Sequence, residues 1–531
     1  MRTRPRYIRH FIIAMLHGMA FSVLVPYALS SCKDNSTNPY KDISLEAFSN
    51  FRDSRYTLDI EKVAQLTSQM ARADHDTTQT DRTTRRLYRD TFRPVWIDRY
   101  GIDSRIDTLL SYLKTVEEIG FTTDAFFVNT IETDATRLKS LDFADKGNDI
   151  NHTAARLEYL ATKAMLRYAT GQRYGYTNPF HYLNRLDPAH DDSTKRVTEY
   201  RHLFDIPIER PDDAFYANAL ALRDGESLGR FLRLVQPHDA TLEELQRQLG
   251  ETTSEHRRWL LLSNMERHRW RTKKAEDTNG KKVVVNIPAF MLYAYSADSV
   301  MTMKIGCGSK KTKTPLLTSE ISRMDLNPLW NIPMSIIKKD VAPHAGDPRY
   351  FNARRYFIVE RETGKRLDPS IVTAQMLRSG AYRVSQEGGE GNSLGRIIFR
   401  FDNKFSVYLH DTSSRRFFNQ TVRSVSHGCI RVERPFDLAC FLLGDDADEW
   451  TLDRIRISMD LEPQTNKGKA YVRDTTRTRK LINSKTINPK VPVFIVYQTL
   501  DKNADGRWKE YADIYGFDAV MRRELRPFTK R

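Results

Sequence analysis

Tyr408-Leu409-His410-Asp411-Thr412, followed downstream by Ser426-His427-Gly428-Cys429-Ile430-Arg431, is the stretch that decides how the rest of the chain is read. A thiol is a useful nucleophile only as its thiolate. An imidazole nearby can take the proton and later return it to a leaving amine. A glycine directly before the cysteine lets the backbone approach a substrate closely. Backbone N–H groups beside the sulfur can stabilise the oxyanion of an acyl-transfer step. Arg431 adds positive potential, which is expected to lower the thiol pKa and can hold a carboxylate. On spacing alone two other readings stay open. One is an inert buried cysteine beside surface histidines; the other is a zinc site made from His410, His427, Cys429 and Cys440. Against zinc, Cys440 falls in an apolar helical run and reads as a core cysteine. His427 and Cys429 are also closer in sequence than paired zinc ligands usually are.

Around this stretch the texture is that of strands. Residues 281–296 alternate apolar and polar side chains with β-branched and aromatic enrichment, and 395–408 splits at Asp402-Asn403-Lys404 like a hairpin. Pro435–Leu443 reads as a short helix with Pro at its start. Residues 337–385 are polar and mixed and read as an insertion; 463–488 read as a mobile basic loop; 491–500 and 508–514 read as a closing hairpin. Upstream the period changes to 3.6. Residues 103–117 carry apolar positions at 106, 109, 110, 113 and 116, residues 153–168 repeat the pattern with Thr153 as cap, and 241–262 read as two helices broken near Gly250.

The chain has 531 residues, enough for about three domains. Aromatics at 11% exclude a disordered chain, and 24 Gly with 21 Pro exclude collagen-like and low-complexity architectures. Four cysteines are too few for a disulfide scaffold of this length. The net charge of +16 favours polyanionic surroundings: nucleic acid, anionic lipid or an acidic wall polymer. Its spread along the chain favours a solvated surface over nucleic-acid binding. Arg2, Arg4, Arg6 and Arg9 precede an apolar run over 11–29, then Leu29-Ser30-Ser31-Cys32 and the polar Lys33-Asp34-Asn35-Ser36. That order is the one of a secretory signal, with a retained membrane anchor as the alternative.

Leu-Ser-Ser-Cys resembles the lipobox of bacterial lipoproteins. The resemblance implies cleavage before Cys32, acylation of its thiol and, with Lys33 following, an outer-membrane anchor on the periplasmic side. SHGCIR with the upstream YLHDT, Phe417-Phe418, Arg423 and a Pro-led helix resembles the signature of the YkuD-type L,D-transpeptidases, enzymes that cross-link peptidoglycan stem peptides. Val285-Asn286-Ile287-Pro288-Ala289-Phe290, Thr314-Pro315, Asn327-Pro328-Leu329-Trp330-Asn331-Ile332-Pro333, Asn392-Ser393-Leu394-Gly395 and, further back, Arg93-Pro94-Val95-Trp96 are similar to the large members with a helical scaffold and a substrate-capping subdomain. Ser385-Gln386-Glu387-Gly388-Gly389 departs from the Arg-Gln-x-Pro-Gly of many relatives.

The fold class implied is α+β: a helical N-terminal scaffold and a β-rich catalytic domain with an inserted capping subdomain. The expected divisions are a signal at 1–31, a tether at 32–45, the scaffold at 46–235, a helical linker or reduced module at 236–280, the catalytic domain at 281–515 with its capping insertion at about 337–385, and a tail at 516–531. By the resemblance Cys429 is the nucleophile and His410 the general base. His427 and Gly428 shape the nucleophile loop, and Tyr408, Arg431, Asp411, Thr412, Asn392 and Trp330 meet the substrate. The implied reaction forms a three-to-three cross-link through a thioester, with no cofactor, no metal and no nucleic-acid partner. Carbapenems are the expected inhibitors, and the insertion is expected to close over substrate. Alternatives are hydrolysis by the same site, attachment of a protein to the wall, and a wall-binding lipoprotein without turnover. Asp501–Gly506 imitates a calcium loop, but Ala512 stands where the bidentate Glu is needed, so it reads as a hairpin turn. Cys307 and Trp96 read as structural, and Trp330 as a core aromatic bordering the site.

Overall fold

The computed structural model describes residues 56–529, apart from 77, 90–91, 99–100, 144–146, 190–196, 273–279, 298, 445–446, 477 and 504. The N-terminal address with Cys32 therefore lies outside the described residues. Among the described residues no helix is long and apolar enough to cross a membrane.

The helical part is organised by Ile150–Tyr174, a 25-residue helix whose alanines, Leu157, Leu166 and Tyr168 are buried. Helices Ile60–Ala73, Gln79–Arg89, Arg105–Lys114 and Val128–Ser140 close around it. Its cap is Asp149, which accepts from the amides of Asn151 (3.0 Å) and His152 (3.1 Å). Thr153, the expected cap, is buried a turn further in. Buried Glu158 accepts from the Tyr88 hydroxyl (2.7 Å) and the amides of Val95 (2.6 Å) and Trp96 (3.0 Å). That clamp fixes the chain just before the short pair β1 (Ile97–Asp98) and β2 (Gly101–Ile102). Trp96 is core, its Nε1 donating to Thr162 Oγ1 at 2.9 Å.

Beyond β3 (Phe204–Asp205) come helices Asp213–Leu220, Gly225–Leu234, Ala240–Glu251 and Glu255–Arg269. The expected break in 241–262 falls at 252–254, where Ser254 caps the second helix. The last two helices pack together, and Glu255–Arg269 also meets the long central helix. The segment expected as a tail is structural too. Helix Phe517–Leu525 packs on Glu255–Arg269, Arg267 pairs with Asp518, and Phe528 packs against Phe121, Phe126 and Tyr176. The Thr122 amide donates to the Phe528 carbonyl at 2.8 Å.

The main C-terminal sheet uses β4 (Lys282–Asn286), β5 (Met291–Tyr295), β6 (Val300–Gly308) and β7 (Leu316–Leu326). A separate four-stranded sheet follows: β8 (Trp330–Asn331), β9 (Tyr356–Glu360), β10 (Arg366–Leu367) and β11 (Tyr382–Gln386), in the order β10-β9-β11-β8. It has its own core of Ile332, Ile337, Phe351, Ile358, Leu377 and Val384. The insertion is thus a small folded subdomain, beginning at Trp330 rather than 337. The main sheet resumes with β12 (Ile397–Phe401), β13 (Leu409–His410), β14 (Ser424–Ser426), β15 (Ile430–Val432) and β16 (Ser484–Val496). The expected hairpin at 395–408 is present as β12 and β13.

The order β12-β13-β15-β6-β5-β4-β16-β7 returns to its start because β7 also pairs with β12, so the sheet closes on itself. Val283, Val285, Leu292, Ile305, Ile321, Phe399, Leu409, Ile430 and Ile495 are buried in a core shared with the helices, each such side chain contributing roughly 1.5–3 kcal/mol. β3 joins β7 with Phe204 opposite Leu316, lacing the helical part to the sheet.

Two expectations near the C-terminus fail. Residues 463–488 hold helix Asn466–Arg473, anchored where Asp453 accepts from the Gln464 and Thr465 amides and the Thr465 hydroxyl. Residues 491–496 belong to β16, which lies between β4 and β7 instead of pairing with 508–514. The hairpin there is β17 (Leu500–Lys502) with β18 (Trp508–Glu510), and the Asp501–Gly506 stretch is its turn.

Candidate active site

β13 and β15 run parallel, with Leu409 opposite Ile430 and His410 opposite Arg431. The Ile430 amide donates to the Tyr408 carbonyl at 3.1 Å, which continues the register to Tyr408 opposite Cys429. Side chains alternate along a strand, so Tyr408, His410, Cys429 and Arg431 share one face of two adjacent strands. The parallel register of β13 and β15 brings these four together.

Cys429 is half-buried, and its Sγ donates to the Ser406 carbonyl at 3.9 Å. The imidazole lies diagonally across, one register step further, and the thiol's hydrogen bond does not go to it. Burial pushes the thiol pKa up; the Tyr408 amide and hydroxyl, Arg431 and Arg400 pull the other way without reversing it. Arg431 lowers the thiol pKa as expected, but desolvation outweighs the guanidinium and the net shift is upward.

His410 is 4% exposed. Its Nδ1 is bonded to the Asp411 carbonyl oxygen at 2.5 Å. A carbonyl only accepts, so Nδ1 carries the proton and Nε2 holds the free lone pair, the form a general base needs. Burial, then Arg431, lowers its pKa to about 4, against the pull of the Asp411 and Leu394 carbonyls. The resting pair is a neutral thiol and a neutral imidazole, not an ion pair. Arg431 lies 5.5 Å from the Phe417 ring, and its buried Nε has no hydrogen-bond partner among the described residues.

The nucleophile loop is stapled from below. Ser426 Oγ donates to the Cys429 carbonyl at 2.5 Å and accepts from the Gly428 amide at 3.1 Å. Thr314 Oγ1 donates to the Gly428 carbonyl at 2.8 Å. Gly428 has φ of +127°, which an L side chain rarely adopts. β14 pairs with β6 beside buried Cys307, whose thiol is pushed up to about 12, so Cys307 is structural as read. Sequence reasoning missed Ser406, whose carbonyl contacts the thiol. It also missed Arg400 and the Ser426 and Thr314 staples; the last two lay inside quoted motifs without a role.

His427 is exposed on this loop. Cys440 is half-buried on Pro435–Leu443, not the core residue expected. Among the described residues no group of three or more His, Cys, Asp or Glu could hold a metal ion. Asp411 is buried and accepts from the Arg396 amide (2.9 Å) and Arg415 (3.2 Å). Thr412 is buried and accepts from the Ser414 amide at 3.2 Å. Asn392 is 1% exposed; its amide donates to the Pro328 and Glu387 carbonyls and its oxygen accepts from the Leu394 amide. The polar atoms of these three are engaged within the protein, where they shape the loops that hold His410, and all three also line a cavity beside it. Trp330 is half-buried on β8, edge-on to Tyr356 in the inserted subdomain, and belongs to neither of the two cavities beside the thiol strands. One of these, about 600 Å³, includes Arg323, Arg400, Ser406 and Tyr408. The other, about 670 Å³, includes Asn392, Asp411, Thr412 and Glu433.

Residues 280–455 match the L,D-transpeptidase catalytic domain (YkuD), and residues 82–249 match the Scaffold domain. The chain thus carries a YkuD L,D-transpeptidase catalytic domain together with a Scaffold domain. It is 30% identical over 239 residues to a Haemophilus influenzae protein named "Putative L,D-transpeptidase". The match covers 44% of this chain and 44% of that protein, so the chain spans less than half the length of this curated relative. An L,D-transpeptidase from Mycobacterium smegmatis aligns at 13% identity with a TM-score of 0.17, over 41% of this chain and 58% of that one, a likeness too slight to bear on the fold.

Proposed function

We propose that the protein is a peptidoglycan L,D-transpeptidase that forms three-to-three cross-links through a thioester on Cys429. The observation that carries this reading is the shared face of Tyr408 and His410 with Cys429 and Arg431 on one parallel strand pair. Sγ attacks the carbonyl of the L-centred third residue of a tetrapeptide stem, and the thiol proton passes to His410 Nε2. The Cys429 amide donates to the oxyanion. Collapse expels the terminal D-alanine, which takes the proton from the imidazole, and leaves the thioester. The amine of a second stem then attacks that thioester, forms the new amide and returns the thiol. A neutral imidazole suits this order, because it accepts the proton only as the sulfur attacks. Trp330 and the inserted subdomain cover the bound stem, and carbapenems acylate the same sulfur.

The lipobox-like Leu29-Ser30-Ser31-Cys32 supports export, acylation of Cys32 and anchoring in the outer membrane, with the catalytic domain in the periplasm. Muropeptide analysis after incubation with purified tetrapeptide stems tests the activity. Cross-linked dimers and a mass adduct on wild-type protein are expected, and neither on Cys429→Ala. Wild-type protein that forms neither would overturn the proposal. Fatty-acid labelling in cells, lost in Cys32→Ser, tests the anchor.

A further inference from the structure

β7 has β12 on one side and β16 on the other, and both ladders skip the same residue. Arg323 is opposite Arg400 and Thr486, Ile321 is opposite Phe401 and Val491, and Ser322 has no partner in either register. On the β16 side the four residues 487–490 are left out of the ladder at that level, with Ile487 buried in the core. Bulges are frequent at barrel rims and beside active sites, where they re-aim side chains. Here two of them at one level open the wall of the closed sheet.

The opening is the cavity of about 600 Å³, which runs past Ser322, Arg323, Arg400, Thr486 and Lys490 to Ser406 and Tyr408. It reaches Ser406, whose carbonyl accepts from the Cys429 thiol, and Tyr408, the register neighbour of Cys429, so it approaches the sulfur without including it in its lining. Ser406 itself has φ of +55°, a strained value for a serine and one that recurs at functional sites. The charge in the cavity is one-sided. Arg323, Arg400 and Lys490 line it against Asp402 alone. Arg323 and Arg400 share a single carboxylate, Asp325, which is not in the lining, and Lys490 has no acidic partner among the described residues. The cavity on the other side of the strand pair is different: Arg396, Arg415 and Arg434 are outnumbered by Glu390, Asp411, Glu433, Asp437 and Asp460.

We infer that the double-bulge groove is a carboxylate-reading subsite for a stem peptide at the thiol, with Arg400 and Lys490 as its specificity-determining residues. This rests on the transpeptidase reading for the identity of the peptide. Lys490 meets the carboxylate as a mobile point charge from the bulge, and Arg400 from the floor, beside the Tyr408 ring that it already faces at 5.5 Å. The stem is either the one that donates the acyl group or the one that brings the amine; both are peptides bearing free carboxylates, and the two halves of the reaction separate them.

The test uses stems with free carboxylates and the same stems amidated. Binding to the full-length Cys429→Ala protein is measured by calorimetry, so that it does not depend on turnover. Free-carboxylate stems should bind at least tenfold more tightly than amidated ones. Lys490→Gln and Arg400→Gln should each reduce that preference about fivefold to tenfold while leaving the amidated stem unchanged. In turnover by the catalytic protein, a rise in KM confined to the donor or to the acceptor, with kcat kept, assigns the stem. Thermal unfolding midpoints of Lys490→Gln and Arg400→Gln equal to that of the parent protein guard against misfolding. Equal affinity for free and amidated stems, or a preference untouched in both variants, overturns the subsite. Carboxylate-dependent binding without any cross-linked product supports the subsite and counts against the transpeptidase reading alone. No binding of any stem overturns both.

Discussion

His410 and Arg431 stand opposite one another across β13 and β15, so the buried imidazole has a guanidinium as its register partner. A positive neighbour disfavours a second positive charge, and burial disfavours it further. The imidazole is kept neutral by both. The thiol is kept neutral by burial. The site therefore rests without separated charge, and on the proposed mechanism the proton moves from sulfur to nitrogen only as substrate is attacked.

With His410 held at about 4, the acid limb of kcat/KM should lie near that value instead of near the ordinary 6.5. Arg431→Met removes the second-largest cause of the depression, so the limb should move to higher pH. Unfolded protein takes up this proton near 6.5 and folded protein only near 4, so stability should weaken as pH falls between those values. Pairing pH–rate profiles with NMR titration of the histidine checks both statements. An acid limb that stays in place in Arg431→Met would show that the guanidinium does not act on the imidazole.

Because the thiol is raised, alkylation of Cys429 by iodoacetamide should be slow at pH 7 and should still be accelerating at pH 9. Cys307, buried and at about 12, should stay unlabelled until the protein unfolds. Peptide mapping after timed alkylation reads both residues at once. A rate plateau near neutrality would mean a preformed thiolate and an ion-paired site.

The nucleophile stretch was legible because chemistry constrains it: Gly428 is needed for its φ, and Tyr408, His410, Cys429 and Arg431 fall on one face by strand alternation. The helical periods at 103–117 and 153–168 were legible for the same kind of reason. What was not legible depends on contacts distant in sequence. Nothing in the local pattern shows that Phe528 packs onto the Phe121–Tyr176 pair, or that Ser322 is skipped by two ladders at once. The backbone contacts of Asn392 were not legible either, because a polar residue beside a site looks the same in sequence whether it faces ligand or backbone. The thiol shift was misjudged because a sequence displays the charge of Arg431 and conceals the burial that opposes it.

Phe528 should carry much of the C-terminal clasp. It is 4% exposed and packs on three aromatic rings of the helical part. Phe528→Ala should cost about 3–5 kcal/mol in denaturant unfolding, the usual range for a buried phenylalanine. Removing 516–531 should cost more, since it also leaves Arg267 without Asp518. A truncated chain with unchanged stability would restore the reading of this segment as a tail.

Gly428→Ala separates backbone strain from crowding at the nucleophile. A Cβ on this residue would meet nothing nearer than Val407 Cγ2 at 3.9 Å, so no clash forbids the substitution. The φ of +127° forbids it instead, at a cost of about 1–3 kcal/mol that the loop can relieve only by turning. Turning rotates the Gly428 carbonyl away from Thr314 and the Cys429 amide away from the position where an oxyanion forms. Losing one such donor costs roughly 10²–10³ in kcat. The variant should therefore stay folded, keep a Cys429 that iodoacetamide alkylates, and lose at least a hundredfold in cross-linking rate. Thr314→Val, which removes the staple without forcing the φ, should lose less. If Gly428→Ala keeps full activity, the oxyanion is not held by the amide that this glycine orients.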